Sequence, residues 1–239
     1  MPNNFFRFKQ FTVHQEKCAM KVCTDACLFG SLLKTYFNRR GGARVLDIGA
    51  GTGLLSLMYA QQNANALIDA VEIDERASKQ AKENFEVSPW KERLRIHNCS
   101  IQSFIAGNKY DLIVSNPPFF ENDLKSADDK RNLALHSSAL SLEELAGIAS
   151  ALVDDNGMFA VLLPYHRADA FIENAAAKKF FSQQRVNVKQ SVKHNYFRSI
   201  LFFTKQQFVA SADEISIMDG GGQYTKRFAD LLKDYYLKL

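Results

Sequence analysis

From Arg44 to Leu163 the chain alternates short apolar, β-branched runs with segments of helical periodicity, a rhythm that few folds accommodate. Arg44–Ile48, Leu67–Glu72, Leu94–His97, Asp111–Ser115 and Met158–Leu163 predict strands. Gly53–Gln62, Asp74–Phe85, Ser100–Ala106, Ser141–Val153 and His166–Lys178 predict helices. A run as continuously apolar as Phe159-Ala160-Val161-Leu162-Leu163 suits a parallel sheet covered by helices on both faces, since neither side of such a strand tolerates water. Two late runs, near Arg185–Val192 and Ser199–Thr204, follow one another without room for a full helix, which predicts a β-hairpin and one antiparallel strand. The expected architecture is a doubly wound, Rossmann-like α/β fold with a seven-stranded, mostly parallel sheet and a terminal antiparallel strand. It forms one domain over residues 1–239: an aromatic and basic N-terminal arm (1–29), a core (30–205) and a C-terminal docking segment (206–239). In that segment Phe228, Leu231, Leu232, Tyr235 and Tyr236 recur at helical spacing, and Glu214–Ile217 is a further possible strand.

Asp47 ends the first core strand, and Gly49-Ala50-Gly51-Thr52-Gly53 follows. Glycines are required where the backbone takes φ > 0 or where a ligand lies against the main chain. The helix behind the turn presents free N–H groups and a positive dipole end. The spacing is G-x-G-x-G, with Leu54 in place of the third glycine of a pyrophosphate-binding G-x-G-x-x-G. Glu72 closes the next strand, 25 residues past Asp47, where a carboxylate accepts hydrogen bonds from both hydroxyls of a ribose. A nicotinamide site uses such an acid too. Asp47 discriminates better: a carboxylate at the turn suits S-adenosylmethionine, which carries a sulfonium and an ammonium rather than a diphosphate. An ordinary N-cap is the structural alternative for Asp47. Ser100, after the third strand, either contacts an adenine edge or caps the segment that follows.

Asn116-Pro117-Pro118-Phe119 follows the strand Asp111–Ser115 and carries the chemistry. An exocyclic amine is a poor nucleophile because its lone pair is delocalised into the ring. Asn116 Oδ1 and the Pro117 carbonyl can each accept one N–H of such an amine, which pushes the nitrogen towards sp3 geometry and localises the pair. No strong base is needed, because the departing proton becomes acidic only as the methyl arrives; alignment supplies most of the rest. The prolines fix φ, and Phe119, or alternatively Phe120, offers a stacking plate worth roughly 1–3 kcal/mol per base. A base within a duplex must be rotated out, so an unpaired base is the cheaper target. A strand-ending Asn-Pro turn with buried aromatics is the bland alternative. The charged stretch Glu121–Arg131 lacks apolar periodicity and reads as a lid or a solvated loop.

Net charge is +4, yet seven basic residues and no acid lie between Lys178 and Lys205, which leaves −3 for the rest. That block and the arm (Arg7, Lys9, Lys17, Lys21) are candidate polyanion contacts, with an edge strand guarded by lysines as the alternative. Cys18, Cys23, Cys27 and Cys99 form no C-x-x-C pair, so neither zinc nor a disulfide framework is expected. No run approaches the roughly 18 apolar residues of a membrane span, and Met1–Arg7 lacks the layout of a secretion signal, so a cytoplasmic location without membrane association is expected.

With these residues the chain resembles the class I S-adenosylmethionine-dependent methyltransferases, and within them the bacterial family that methylates N6 of the adenosine 3′ of the anticodon in a valine tRNA. The resemblance runs from Met20-Lys21-Val22-Cys23-Thr24-Asp25-Ala26 through Asp47–Gly53, Glu72, Asn116–Phe119 and Arg198-Ser199-Ile200-Leu201-Phe202 to Tyr224-Thr225 and Tyr235-Tyr236-Leu237. It implies S-adenosylmethionine as cofactor and the anticodon loop of a tRNA as partner. It also implies that Thr24 and Asp25 line the cofactor pocket from above. Asn116, Pro117 and Phe119 would act on the target base; Asp47, Gly49, Gly51, Glu72, Ser100 and Asn116 would hold the cofactor. The family usually has Asp where Ser100 stands, glycine where Cys23 stands and Arg where Leu135 stands. The Asn-Pro-Pro box is shared with protein-glutamine and ribosomal guanine-N2 methyltransferases, so these stay as alternatives, as does a non-catalytic RNA-binding module.

Overall fold

The computed structural model describes residues 3–37, 39, 41–118 and 140–239. Phe119, Phe120, the 121–131 stretch and Leu135 therefore lie outside the described residues. Eight strands form the central sheet: β3 (Arg44–Ile48), β4 (Leu67–Glu72), β5 (Leu94–Asn98), β6 (Tyr110–Ser115), β7 (Val153–Pro164), β8 (Phe181–Ser191), β9 (Tyr196–Thr204) and β10 (Ser211–Met218). Their spatial order is β10-β8-β9-β7-β6-β3-β4-β5. Every neighbouring pair is parallel except β7 with β9 and β8 with β9, so β9 alone runs against the rest.

Two expectations need correction. The sheet has eight strands, not seven, because Ser211–Met218 pairs in parallel with β8 along its whole length. The antiparallel strand, β9, is interior and not terminal, because the hairpin folds back to place it between β7 and β8. The helix expected over Ser100–Ala106 does not form: residues 101–103 make a turn, held by Ser103 N–H to Ser100 O (3.1 Å) and Phe104 N–H to Ile101 O (3.3 Å). Gly107 and Asn108 follow at once, leaving too few residues to nucleate an isolated helix.

The remaining helices are α1 (Thr24–Tyr36), α2 (Leu54–Gln62), α3 (Glu75–Glu86), α4 (Leu142–Leu152), α5 (Ala168–Ala177) and α6 (Lys226–Leu232). α3 starts at a true cap, Asp74 accepting from Ala77 N–H. α4 starts with a reciprocal capping box between Ser141 and Glu144. Period-2 alternation in the strands divides the core. Val45, Leu112, Val114, Ala160 and Leu162 join α1, α2 and α6 on one face. Leu46, Ile48, Ile113, Phe159 and Val161 join α4 and α5 on the other.

The arm is a small hairpin, β1 (Phe5–Arg7) with β2 (Thr12–His14). Phe8 and Phe11 are buried and stack at 4.4 Å, and Phe8 also meets Tyr236, so these rings fill the core instead of offering platforms to a ligand. Phe228, Leu232, Tyr235 and Tyr236 pack into the same cluster, with Tyr235 Oη donating to Met58 O at 3.0 Å.

Candidate active site

Parallel strands bring their C-terminal ends to one edge, and the loops there are free to hold a ligand. At that edge Ile48 pairs with both Val71 and Ser115, so the ends of β3, β4 and β6 are adjacent. Ser115 Oγ donates to Ile48 O at 2.9 Å and fixes the approach to Asn116.

The glycine turn takes φ values of +72° at Gly49, +56° at Gly51 and +80° at Gly53, as its sequence required. A side chain at Gly49 or Gly51 would meet nothing within 4 Å, so the inside of the turn is an open cradle. At Gly53 a Cβ would lie 2.4 Å from Phe85 Cε1; this glycine is there for packing. Gly49 N–H and Ala50 N–H both donate to Val71 O (2.9 and 3.1 Å), and Gly51 N–H donates to Glu72 Oε2 (2.8 Å). Glu72 Oε1 accepts from Asp74 N–H at 2.9 Å. Each carboxylate oxygen retains a second acceptor position. Asn98 Nδ2 donates to the carbonyls of Glu72 (2.9 Å) and Ile73 (3.2 Å), which holds this corner in place.

Asp47 is 1% exposed. Its Oδ2 accepts from Ser56 Oγ at 2.7 Å, and its Oδ1 is buried without a partner among the described residues. Burial pushes its pKa up to about 7; the Glu72 charge adds to the rise, and the hydrogen bonds from Ser56 oppose it. Asp47 is not an N-cap: Gly53 occupies that position for α2.

Asn116 presents the second orphan. Its Oδ1 is buried and meets no partner among the described residues, while Pro117 is buried and Pro118 exposed. A buried amide oxygen without a donor costs on the order of 1–3 kcal/mol, a cost removed when a donor arrives. Two unpaired acceptors beside an open glycine cradle fit a cofactor bearing cationic groups and a substrate bearing N–H groups.

Thr24 opens α1 and Asp25 lies in its first turn, 8% exposed. Asp25 Oδ2 accepts from Arg198 Nε at 2.9 Å, which ties α1 to the start of β9. Arg198 in turn pairs across the ladder with Pro164 at the end of β7, on the same edge as Asn116. Ser100 Oγ accepts from Ser103 N–H at 3.2 Å; it caps a turn.

The basic block is split by the sheet. Lys178 and Lys179 precede β8 and Lys205 follows β9, at the edge opposite Asn116, whereas Lys189, Lys193 and Arg198 lie at the near edge. Ion pairs engage Lys178 with Glu143, Arg185 with Asp169, Lys189 with Glu214, Arg198 with Asp25 and Lys205 with Asp155. Among the described residues no His, Cys, Asp and Glu cluster is placed to hold a metal ion, and no helix is long and apolar enough to cross a membrane. A cavity of about 680 Å³ opens near the C-terminal end of α2, lined by Ser31, Lys34, Gln61, Gln62 and Asp234 among others; the site residues do not line it.

Ser56, Asn84 and Asn98 are site residues that sequence reasoning missed. A serine or asparagine inside a helix, or at a strand end, carries no periodic signal; only the pairing of β4 with β5 and the packing of α2 and α3 reveal their partners.

The family model of the methyltransferase small domain matches residues 26–144. A tRNA1(Val) (adenine(37)-N6)-methyltransferase from Dyadobacter fermentans is 42% identical over the full length of both chains. Among solved structures, an Agrobacterium tumefaciens protein described as an O-methyltransferase matches with a TM-score of 0.65 at 17% identity, over 88% of this chain and 96% of that one. A Listeria monocytogenes protein described as a class I S-adenosylmethionine-dependent methyltransferase matches with a TM-score of 0.63 at 11% identity, over 92% and 72%. The structural likenesses establish the fold, and the full-length identity establishes the rest: this chain belongs to the tRNA1(Val) (adenine(37)-N6)-methyltransferase family.

Proposed function

We propose that this protein methylates N6 of adenosine 37 in tRNA1(Val), with S-adenosylmethionine as methyl donor. The observation that carries the reading is the buried Oδ1 of Asn116, without a partner among the described residues, held after β6 beside the open glycine turn.

S-adenosylmethionine supplies a methyl carbon made electrophilic by its sulfonium. The open backbone of Gly49 and Gly51 admits the cofactor without a steric clash. Glu72, its carboxylate held by two backbone N–H groups, accepts from the ribose hydroxyls. Asp47 supplies a carboxylate for the cationic end, and Thr24 and Asp25 close the pocket from α1. Ser100 Oγ caps the turn after β5 and keeps a second acceptor position for the adenine amine. Asn116 Oδ1 and the Pro117 carbonyl accept the two N–H groups of the target amine and localise its lone pair. Correct orientation of the amine towards the methyl lowers the barrier by several kcal/mol. The departing proton goes to solvent after the methyl is in place. Phe119 is the stacking plate for the base.

The tRNA reaches the Asn116 edge of the sheet, so Lys189, Lys193 and Arg198 are better placed to meet its backbone than Lys178, Lys179 and Lys205. The arm contributes through its exposed cations, since Phe8 and Phe11 are buried in the core. Residues 1–239 act as one domain, and the location is cytoplasmic, where tRNA is available.

Incubation with methyl-labelled cofactor and total tRNA from a strain lacking the activity tests the reading. Label in N6-methyladenosine of tRNA1(Val) supports it. Label in N2-methylguanosine, or only in protein, rejects it.

A further inference from the structure

Asn84 lies on α3 and is only 1% exposed. Every hydrogen bond its amide makes leaves its own helix. Nδ2 donates to Thr52 O in the glycine turn and to His14 O at the end of the arm hairpin, both at 2.9 Å. Oδ1 accepts from His14 N–H at 2.9 Å. One side chain therefore sets the distance between the cofactor turn and the point where the arm leaves β2. Phe85, its neighbour, packs beneath Gly53 of the same turn.

From His14 the chain runs to α1 as a strap. Its far end is held by Gln15, whose Oε1 accepts from Val22 N–H at 2.8 Å. Between those two pins most side chains face solvent, but Cys18 is buried. The strap ends at Thr24 and Asp25, which the cofactor reading places over the pocket.

We propose that Asn84 is a positioning residue for cofactor binding: it locks the glycine turn and the strap at a fixed separation, so that floor and roof of the pocket are set together. The inference rests on the cofactor reading above. Asn84→Asp keeps the acceptor for His14 N–H and replaces the donor to both carbonyls with a charge that repels them. Gln80→Ala is the control. It removes a bond to the strap, Lys17 N–H to Gln80 Oε1 at 3.3 Å, and leaves the link to Thr52 intact.

S-adenosylhomocysteine affinity, measured by calorimetry, reads the effect. Asn84→Asp weakens binding about tenfold or more, the size expected from losing one or two hydrogen bonds. Its kcat at saturating cofactor stays within about threefold of wild type, because no reacting atom is touched. Gln80→Ala stays within about twofold for both quantities. Equal weakening by the two variants, or none by Asn84→Asp, overturns the inference while leaving the cofactor reading intact. Failure of the wild-type protein to bind S-adenosylhomocysteine overturns both. If Asn84→Asp does not fold, hydrogen exchange on the wild-type protein decides: residues 14–23 and 49–53 gain protection together on binding, whereas protection of the turn alone contradicts the coupling.

Discussion

The backbone N–H of Gly51 donates to Glu72 Oε2 at 2.8 Å, so the acid that ends β4 holds the glycine turn that follows β3. One carboxylate thus shapes the cradle while each of its oxygens keeps a further acceptor position. Glu72→Gln places an amide where two backbone N–H groups donate, and one of them loses its acceptor. Cofactor affinity should fall about tenfold, and Glu72→Ala should cost more, with kcat at saturation changing far less. Calorimetry with S-adenosylhomocysteine and a kcat measurement separate the two.

Gly49 and Gly53 share a backbone sign but differ in surroundings. Gly53→Ala drives Cβ into Phe85 and should lower stability by about 1–3 kcal/mol, read as a lower Tm. Gly49→Ala meets open space, so its Tm should drop less; its main effect should be weaker cofactor binding.

Asp47, if it meets the cationic end of the cofactor as proposed, should make binding pH-dependent. Its pKa in the folded protein, pushed up to about 7, lies above the ordinary carboxylate value. Its contribution to the stability of the cofactor-free protein is therefore fully present below about pH 4 and is lost as pH rises through about 7. A cationic ligand favours the ionised form, so affinity for S-adenosylmethionine should strengthen between pH 6 and 8. Asp47→Asn should flatten both profiles; an unchanged pH dependence of affinity in that variant would remove Asp47 from the site.

Thiol chemistry gives an independent check on burial. Burial pushes the Cys18 thiol to about 11 and the Cys23 and Cys27 thiols to about 12, with nearby carboxylates adding to each. Since the thiolate is the reactive species, these three should resist alkylation at neutral pH in the native protein and react in denaturant. Cys99, partly exposed on the Ser100 corner, should label first, as peptide mapping would show.

Much of this was legible beforehand because the strands are marked by apolar runs and their ends by glycine, acid and proline. Asp47, Glu72 and Asn116 all fall at strand ends on one edge, where a parallel sheet must put them. What the pattern concealed was tertiary. β10 reads Ser-Ala-Asp-Glu-Ile-Ser-Ile-Met, with only its second half apolar, and becomes a full strand because the edge of β8 has unpaired backbone groups to satisfy. The segment 100–106 reads as helical in pattern, but it is too short and too close to Gly107 to form a helix. The charge excess of residues 178–205 is offset by acids outside that window: Asp169, Glu214 and Asp155 reach Arg185, Lys189 and Lys205 through the fold. Asp25 is the same lesson from the other side, since its partner Arg198 is 173 residues away.

The account depends on Asn116 contributing far more to the transition state than to holding the cofactor. Single-turnover methylation of an unmodified tRNA1(Val) transcript by Asn116→Ala, run beside calorimetry with S-adenosylhomocysteine, separates these roles. The account predicts a rate roughly 100- to 1,000-fold lower or worse, with cofactor affinity within a few fold of wild type. A near-normal rate of N6-methyladenosine formation at position 37 by that variant would contradict it.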